Sequence, residues 1–120
     1  ELRQADAPLP AKTTGLNSPW DILKVGRTLF IAMAGHHQIW AMDLDAKTVR
    51  PFAGNGRENI RDGSLANAEF AQPSGLTTDG TFLYVADSET SSVRKLPLSG
   101  DGRVETLAGR GLFEFGDADG

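Results

Sequence analysis

Residues 73–111 read PSGLTTDGTFLYVADSETSSVRKLPLSGDGRVETLAGRG. Four short apolar runs lie in this stretch, at residues 75–76, 82–86, 93–98 and 104–108, and each is separated from the next by Gly, Asp, Ser or Thr. Short apolar runs between turn-forming residues are typical of β-strands joined by tight turns. The stretch therefore predicts one four-stranded antiparallel unit, with strands at residues 74–78, 82–88, 92–98 and 103–108.

The same skeleton occurs once more, earlier in the chain. Residues 19–44 repeat at a spacing of 54, and after one extra residue in the second copy, residues 49–56 repeat at a spacing of 55. The identical pairs at the first spacing are Pro19/Pro73, Gly26/Gly80, Leu29/Leu83, Ala32/Ala86 and Leu44/Leu98. A constant period indicates tandem structural units, which places strands of the first unit at residues 20–24, 28–34, 38–44 and 48–53.

This pattern divides the chain into five segments. Residues 1–18 contain two prolines and are interpreted as a linker, with a short strand inside residues 12–16 as an alternative. The first unit covers residues 19–56, an inter-unit loop covers 57–72, the second unit covers 73–111, and residues 112–120 begin the next loop. Within the first loop we expect a brief helical or 3₁₀ turn around residues 65–70, with Leu65, Ala68 and Phe70 pointing inward.

The predicted fold class is all-β, with two four-stranded antiparallel blades of a β-propeller. A sheet that is apolar on both faces is covered only by further copies, and stacked repeats generally need about three or more to be stable. Propellers close with about four to eight sheets, and a six-bladed ring is the expectation here. Either the chain is an excerpt from a longer polypeptide, or three copies form a homotrimer that completes the ring.

Composition narrows the classes of function. The 120 residues carry a formal net charge of -4 and contain no cysteine, so this segment has no disulfide, thiolate metal site or cysteine nucleophile. The acids are concentrated from residue 73 onward, which disfavours binding to a nucleic acid. No apolar run approaches the ~20 residues of a membrane span. We expect no nucleic-acid or membrane partner, and a cytoplasmic location.

Several motifs resemble the NHL-repeat β-propeller family. They are Pro-x-Gly-Leu at residues 73–76, Leu-Tyr-Val-Ala-Asp-Ser at 83–88, Val-Arg-Lys at 93–95 and Thr-Leu-Ala-Gly at 106–109. More narrowly, residues 16–21, 32–40 and 115–117 resemble the subgroup in which a thioredoxin-like domain precedes an NHL propeller. The resemblance implies that any redox chemistry of that domain lies outside these residues. It also implies that the Asp87 carboxylate accepts backbone N–H groups across the turn to the third strand, whereas the first unit has Met33 at this position.

Side chains of the types that carry chemistry have structural interpretations in this chain. Adjacent His36 and His37 would point to opposite faces of an extended segment, so they predict no metal site. The Gly-x-Gly pairs at residues 54–56 and 109–111 predict turns with positive φ and not phosphate-binding loops. Aspartates beside glycines predict Asx turns. Trp20 is expected to fill the wedge between the blades, and no catalytic residue and no cofactor is predicted.

The predicted function is that of a non-catalytic scaffold that binds a protein or a small ligand on one rim. Two alternatives stay open. The chain is part of an enzyme, either a lyase or hydrolase of propeller type or a thioredoxin-like/NHL redox protein whose catalytic domain lies outside these residues, or it is a chain trimmed to test self-assembly of blades. The second-to-third strand turns and the long connections are expected to share the binding rim. The candidate binding residues are Met33, His36, His37, Arg57, Glu58, Glu89, Ser91, Arg110 and Phe113.

Overall fold

The computed structural model of this chain describes residues 8–109. The first half forms a five-stranded antiparallel sheet with the order β1-β5-β4-β3-β2. Its strands are β1 (Leu9–Pro10), β2 (Pro19–Val25), β3 (Thr28–Met33), β4 (Gln38–Asp43) and β5 (Thr48–Ala53). Strands β2 to β5 are sequential neighbours joined by short turns, and all of their pairings are antiparallel.

The second half repeats this sheet, with the order β6-β10-β9-β8-β7. Its strands are β6 (Gly63–Ser64), β7 (Pro73–Thr78), β8 (Phe82–Asp87), β9 (Ser92–Pro97) and β10 (Arg103–Ala108). The predicted fold class is confirmed, because two antiparallel units of the same strand order follow each other along the chain. The eight long strands begin and end within one residue of their predicted limits.

Each sheet gains a fifth, two-residue strand that the sequence did not predict. Strand β1 pairs with the outer strand β5, and β6 pairs in the same way with β10. The segment interpreted as a linker thus contributes β1, and it also forms a 3₁₀ turn at Ala11–Thr13. Strands of two residues carry too little alternation of polar and apolar side chains to be recognised in a sequence.

The two sheets pack face to face around one apolar core. Phe30, Ala32 and Ile39 of the first sheet are at most 4% exposed, and they share this core with Leu83 and Val85 of the second, which are fully buried. Burying an aliphatic or aromatic side chain of this size contributes about 1.5–3 kcal/mol. Strand β3 is buried on both of its faces, as its nearly all-apolar sequence predicts.

The connection between the sheets fills the space between them. Leu65, Ala68 and Phe70 are buried in the inter-sheet core, so the prediction that they point inward is confirmed. The fully buried Arg94 of β9 holds the connection in place. One of its Nη atoms donates to the Glu69 carbonyl oxygen at 2.9 Å, and the guanidinium lies 4.9 Å from the centre of the Phe70 ring.

Asp62 anchors the connection to the outer strand of the second sheet. One carboxylate oxygen accepts from Arg94 at 3.1 Å and from the Thr106 hydroxyl at 2.7 Å, and the other accepts from the Thr106 backbone N–H at 3.0 Å. Partial burial acts to raise the pKa of Asp62, but these hydrogen bonds outweigh it and hold the pKa below its ordinary value. The ionised carboxylate is therefore the form that the fold stabilises.

Helical structure within residues 8–109 is confined to two single 3₁₀ turns, at Ala11–Thr13 and Ala34–His36. In this described part of the chain, no helix has the length and apolar character needed to cross a lipid bilayer.

Candidate functional site

The turn between β3 and β4, at residues 34–37, and the turn between β8 and β9, at residues 88–91, lie on the same edge of the two sheets, which we call the rim. A cleft of about 250 Å³ opens here between the sheets, and we call it the rim cleft. Backbone and side chains from both repeats and from the end of the connection line it. The lining residues are Ser18, Trp20, Ala34, Gly35, His37, Ala71, Gln72 and Glu89.

His37 links the first sheet to the connection at the floor of this cleft. It ends the 3₁₀ turn with a left-handed backbone conformation at φ 57°. Its Nδ1 lies 2.5 Å from the carbonyl oxygen of Ala71. Because a carbonyl oxygen only accepts, Nδ1 carries a proton and donates it to this contact.

The Asp87 carboxylate holds the end of the connection that lines the cleft. It accepts from the backbone N–H of Ala71 at 2.7 Å and of Gln72 at 3.0 Å, and more weakly from that of Thr90 at 3.3 Å. Asp87 is 1% exposed, so these hydrogen bonds replace the water that the carboxylate loses. Asp87 accepts backbone N–H groups as predicted, but only the contact with Thr90 spans the turn to the third strand, and the two shorter contacts are with the connection.

Glu89 and Glu58 form a pair of exposed carboxyl groups beside the cleft. The neighbouring Glu58 carboxyl group raises the pKa of Glu89 above its ordinary value, and the negative charge of Asp87 acts in the same direction, against the influence of His37. Two neighbouring carboxylates repel each other unless they share a proton or a cation lies between them. The pair therefore makes this end of the rim cleft receptive to positive charge.

Met33 and His36 do not contribute to the cleft. Met33 is fully buried in a second apolar cluster, with Ile31, Trp40 and Val49 on the far face of the first sheet, so it presents no surface to a ligand. The His36 ring stacks on Trp40, with ring centres 5.6 Å apart. Burial lowers the pKa of His36, and the charge of the adjacent His37 acts in the same direction.

The remaining candidates lie around the cleft or outside the described residues. Arg57 and Ser91 are exposed, and Ser91 has φ 55°, which matches His37 at the equivalent position of the first repeat. Arg110 and Phe113 fall outside residues 8–109. Within that range, no group of three or more His, Asp or Glu side chains is arranged to hold a metal ion.

Gly54 has a structural reason for being a glycine. Its φ is 106°, and a Cβ atom built on it would lie 2.9 Å from the carbonyl oxygen of His37. Gly109, at the equivalent position, has φ 91°, and its Cβ would lie 2.6 Å from the Ser91 carbonyl oxygen. Both glycines let the outer strand pass close to the rim turn of its own sheet, which is a packing role and not that of an anion-binding loop.

Comparison with curated proteins gives the relatives of this chain. It is 45% identical over 116 residues to Protein SUPPRESSOR OF QUENCHING 1, chloroplastic, of Arabidopsis thaliana, and 41% identical over 134 residues to NHL repeat-containing protein 2 of Homo sapiens. Each match covers 88% of this chain. The chain belongs to the NHL-repeat family. The family recognised in the sequence is thereby confirmed.

The match covers only a small part of each relative. The chain spans 11% of the length of the plant protein and 18% of the human one. The bovine NHL repeat-containing protein 2 is 42% identical, again over 18% of its length. No family model matches the chain.

Of the eight residues that line the cleft between the two NHL repeats, sequence reasoning selected only His37 and Glu89 as binding residues. It missed Ser18, Trp20, Ala34, Gly35, Ala71 and Gln72. Trp20 does not fill the wedge between the sheets, because 56% of its surface is exposed at the mouth of the cleft. Ser18 and Gln72 are 54 residues apart, and each directly precedes the proline that begins an inner strand. This shared place in the repeat was the signal that could have located them, since equivalent residues of stacked repeats lie at the same edge.

Proposed function

We propose that this NHL-repeat module is a non-catalytic binding scaffold and that its ligand, a protein segment or a small molecule, enters the rim cleft. The observation that carries the proposal is the cleft itself, which is open to solvent and combines the exposed indole of Trp20 with His37 and Glu89. An exposed tryptophan beside polar groups is a common anchor for ligands, because it offers a large apolar surface at little entropic cost.

The walls of the cleft favour binding because they are held in place before a ligand arrives. The contact of His37 with the Ala71 carbonyl and the hydrogen bonds of the Asp87 carboxylate tie both rim turns to the end of the connection. The Oδ2 of Asp21 accepts from the Leu76 N–H at 2.8 Å and joins the inner strands of the two sheets. A preorganised site loses less conformational entropy on binding.

The charge at the cleft indicates the chemistry of the ligand. Glu89 borders the cleft, Glu58 adjoins Glu89, and the face of an indole attracts cations. A ligand with a basic group, such as a lysine side chain of a protein partner, satisfies both features. Because the pKa of Glu89 is raised, such a ligand competes with a proton, so its affinity should rise with pH until the carboxyl pair is fully ionised.

The test is a titration with blocked pentapeptides of the form Gly-Gly-X-Gly-Gly, where X is Lys, Leu or Glu. The lysine peptide should shift the fluorescence of Trp20, whereas the buried Trp40 serves as an internal reference, and it should move the backbone NMR signals of His37 and Gln72. Glu89→Gln should weaken this binding about tenfold, the effect of losing one charge-assisted contact. Glu105→Gln, on the exposed side of β10, is the matched control. The proposal fails if the lysine and glutamate peptides behave alike, or if the NMR shifts map away from the cleft.

The cytoplasmic location stays a prediction. The name of the plant relative places that protein in the chloroplast, and the location of the present chain has to be found by fractionating its own cells.

A further inference from the structure

The dipeptide Asn55-Gly56 lies at the start of the connection between the sheets. The chain contains four asparagines, and Asn55 alone precedes a glycine, whereas the residues after Asn17, Asn59 and Asn67 are Ser, Ile and Ala. Glycine has no Cβ, so it leaves the backbone nitrogen that follows Asn55 open to approach. Gly56 is exposed, and a Cβ built on it would meet no atom within 4 Å. Water and the Asn55 side chain can therefore both reach this peptide bond.

An Asx turn brings the Asn55 side chain back onto its own backbone. Asn55 Oδ1 accepts from the Arg57 backbone N–H at 2.8 Å, which closes the turn across Gly56. The Asn55 backbone is fixed as well, because its N–H donates to the Ala68 carbonyl oxygen at 2.9 Å. The hydrogen bond from Arg57 draws electrons from the amide carbon Cγ, and it would stabilise the negative charge that develops on Oδ1 when a nucleophile adds to Cγ. The turn thus keeps an activated carbonyl carbon next to the backbone that follows it.

The amide nitrogen of the same side chain holds the two ends of the connection together. Nδ2 of Asn55 donates to one carboxylate oxygen of Glu69 at 2.9 Å, and Nδ2 of Asn59 donates to the other at 3.0 Å. Glu69 is only 4% exposed, so these donors replace the water that its carboxylate loses. A chemical change at the Asn55 amide would therefore act directly on a buried carboxylate.

We propose that Asn55 is a site of spontaneous deamidation, through a cyclic imide formed with Gly56. The Gly56 nitrogen gives up its proton to hydroxide and bonds to Cγ of Asn55; the bond from Cγ to Nδ2 breaks, and Nδ2 leaves as ammonia after taking a proton from water. Water then opens the imide at either of its two carbonyl carbons. Cleavage of the new bond to Cγ leaves aspartate, whereas cleavage of the original peptide bond leaves isoaspartate. Water and hydroxide are the only co-reactants, and both come from the solvent.

Either product changes the contact with Glu69. The new carboxylate has no N–H to donate, so the 2.9 Å hydrogen bond from Asn55 is lost and two carboxylates come to lie together. Repulsion between them should loosen the end of the connection, where the Ala71 carbonyl oxygen contacts His37 at the rim cleft. The modification should therefore lower the stability of the chain and loosen one wall of the cleft. This effect does not depend on which ligand the cleft binds.

Incubation of the whole chain in mildly alkaline buffer, followed by peptide mass mapping, tests the proposal. Asn55 should convert at least about tenfold faster than any of the other three asparagines, and fragmentation spectra should show both aspartate and isoaspartate at this position. The rate should rise with pH, because the attacking nitrogen must lose its proton. Urea at concentrations below the unfolding transition should leave the rate unchanged, since the folded turn is the reacting form.

Two alanine variants distinguish attack by the Gly56 nitrogen from other routes. Gly56→Ala should slow the conversion of Asn55 at least about tenfold, because a Cβ beside the nitrogen hinders its approach to Cγ. Gly26→Ala is the matched control, since Gly26 also has a positive φ and nothing within 4 Å, and it should leave the rate unchanged. Ion exchange separates the modified chains by their extra negative charge, and their urea midpoint should be lower than that of unmodified chains. Asn55→Asp should reproduce the midpoint of the aspartate product.

The proposal is overturned if another asparagine converts as fast as Asn55, if Gly56→Ala converts at the wild-type rate, or if the conversion follows the unfolded fraction as urea is added. Equal urea midpoints for modified and unmodified chains would overturn the expected effect on the connection.

Discussion

Replacing Asp87 by alanine removes the buried carboxylate that ties the second rim turn to the connection. Three backbone N–H groups lose their acceptor: Ala71 at 2.7 Å, Gln72 at 3.0 Å and Thr90 at 3.3 Å. The residues Ala71 and Thr90 are buried, so water replaces the lost acceptor poorly there, whereas Gln72 is only half-buried. The main cost of the substitution therefore falls on Ala71.

The size of the effect follows from these contacts. A hydrogen bond to a charged group contributes about 1.5–3 kcal/mol, which we assign to Ala71, and the two weaker contacts add about 1 kcal/mol together. The substitution also removes the cost of desolvating the carboxylate, which offsets part of this loss in the free energy of unfolding. We expect Asp87→Ala to lower the free energy of unfolding by about 2–4 kcal/mol. Asp87→Asn keeps one acceptor oxygen, but its NH2 group faces a backbone N–H donor in place of the other oxygen, so it should lose a similar amount.

Urea unfolding, followed by circular dichroism at fixed chain concentration, measures this difference. The slope of free energy against urea should stay constant, so that the midpoint alone reports the change. Amide hydrogen exchange supplies a local readout, since the protection of the Ala71 N–H should fall in Asp87→Ala. Asp45→Ala, an aspartate with 68% of its side chain exposed, is the control. A loss below about 1 kcal/mol for Asp87→Ala would refute the assigned role.

Gly54→Ala should lower the free energy of unfolding by more than about 2 kcal/mol, because the new Cβ would lie 2.9 Å from a carbonyl oxygen. Gly56→Ala is the control: with φ 94° and nothing within 4 Å, it should cost only the backbone strain of about 1 kcal/mol. Equal urea midpoints for the two variants would contradict this prediction. Hydrogen bonding from Asn55 lowers the pKa of Glu69 in the folded chain. The Glu69 carboxylate therefore stabilises the fold above the pKa that it has in the unfolded chain, and this stability is lost as the pH falls through its pKa in the folded chain. Urea midpoints measured between pH 6 and 3 should therefore fall less steeply in Glu69→Gln than in the wild type. Arg27→Ala breaks an ion pair of 2.9 Å whose side chains are both more than half exposed, and thermal melting should show a change within about 1 kcal/mol.

The candidate site was predictable only in part. The placement of His37, Glu58 and Glu89 on one rim followed from the order of strands and turns. Met33 lies in the same turn region, yet its side chain is buried on the far face of the first sheet, in the cluster with Ile31, Trp40 and Val49. Trp20 was expected in the wedge between the blades and is 56% exposed. Exposure of this kind depends on which distant residues cover a side chain, and a local stretch of sequence does not contain that information.

The sequence by itself determined the repeat, the eight long strands and the turns between them, because alternating apolar runs and glycines at positive φ are local features that recur 54 or 55 residues apart. Tertiary structure alone decided three things: that Arg94 is buried against the connection, that the short strand β6 completes its sheet, and that a cleft opens beside Trp20. Each of the three depends on contacts between residues that are distant in the chain. Burial, hydrogen-bond partners and the shape of a cleft arise from such contacts, so no local stretch of residues determines them.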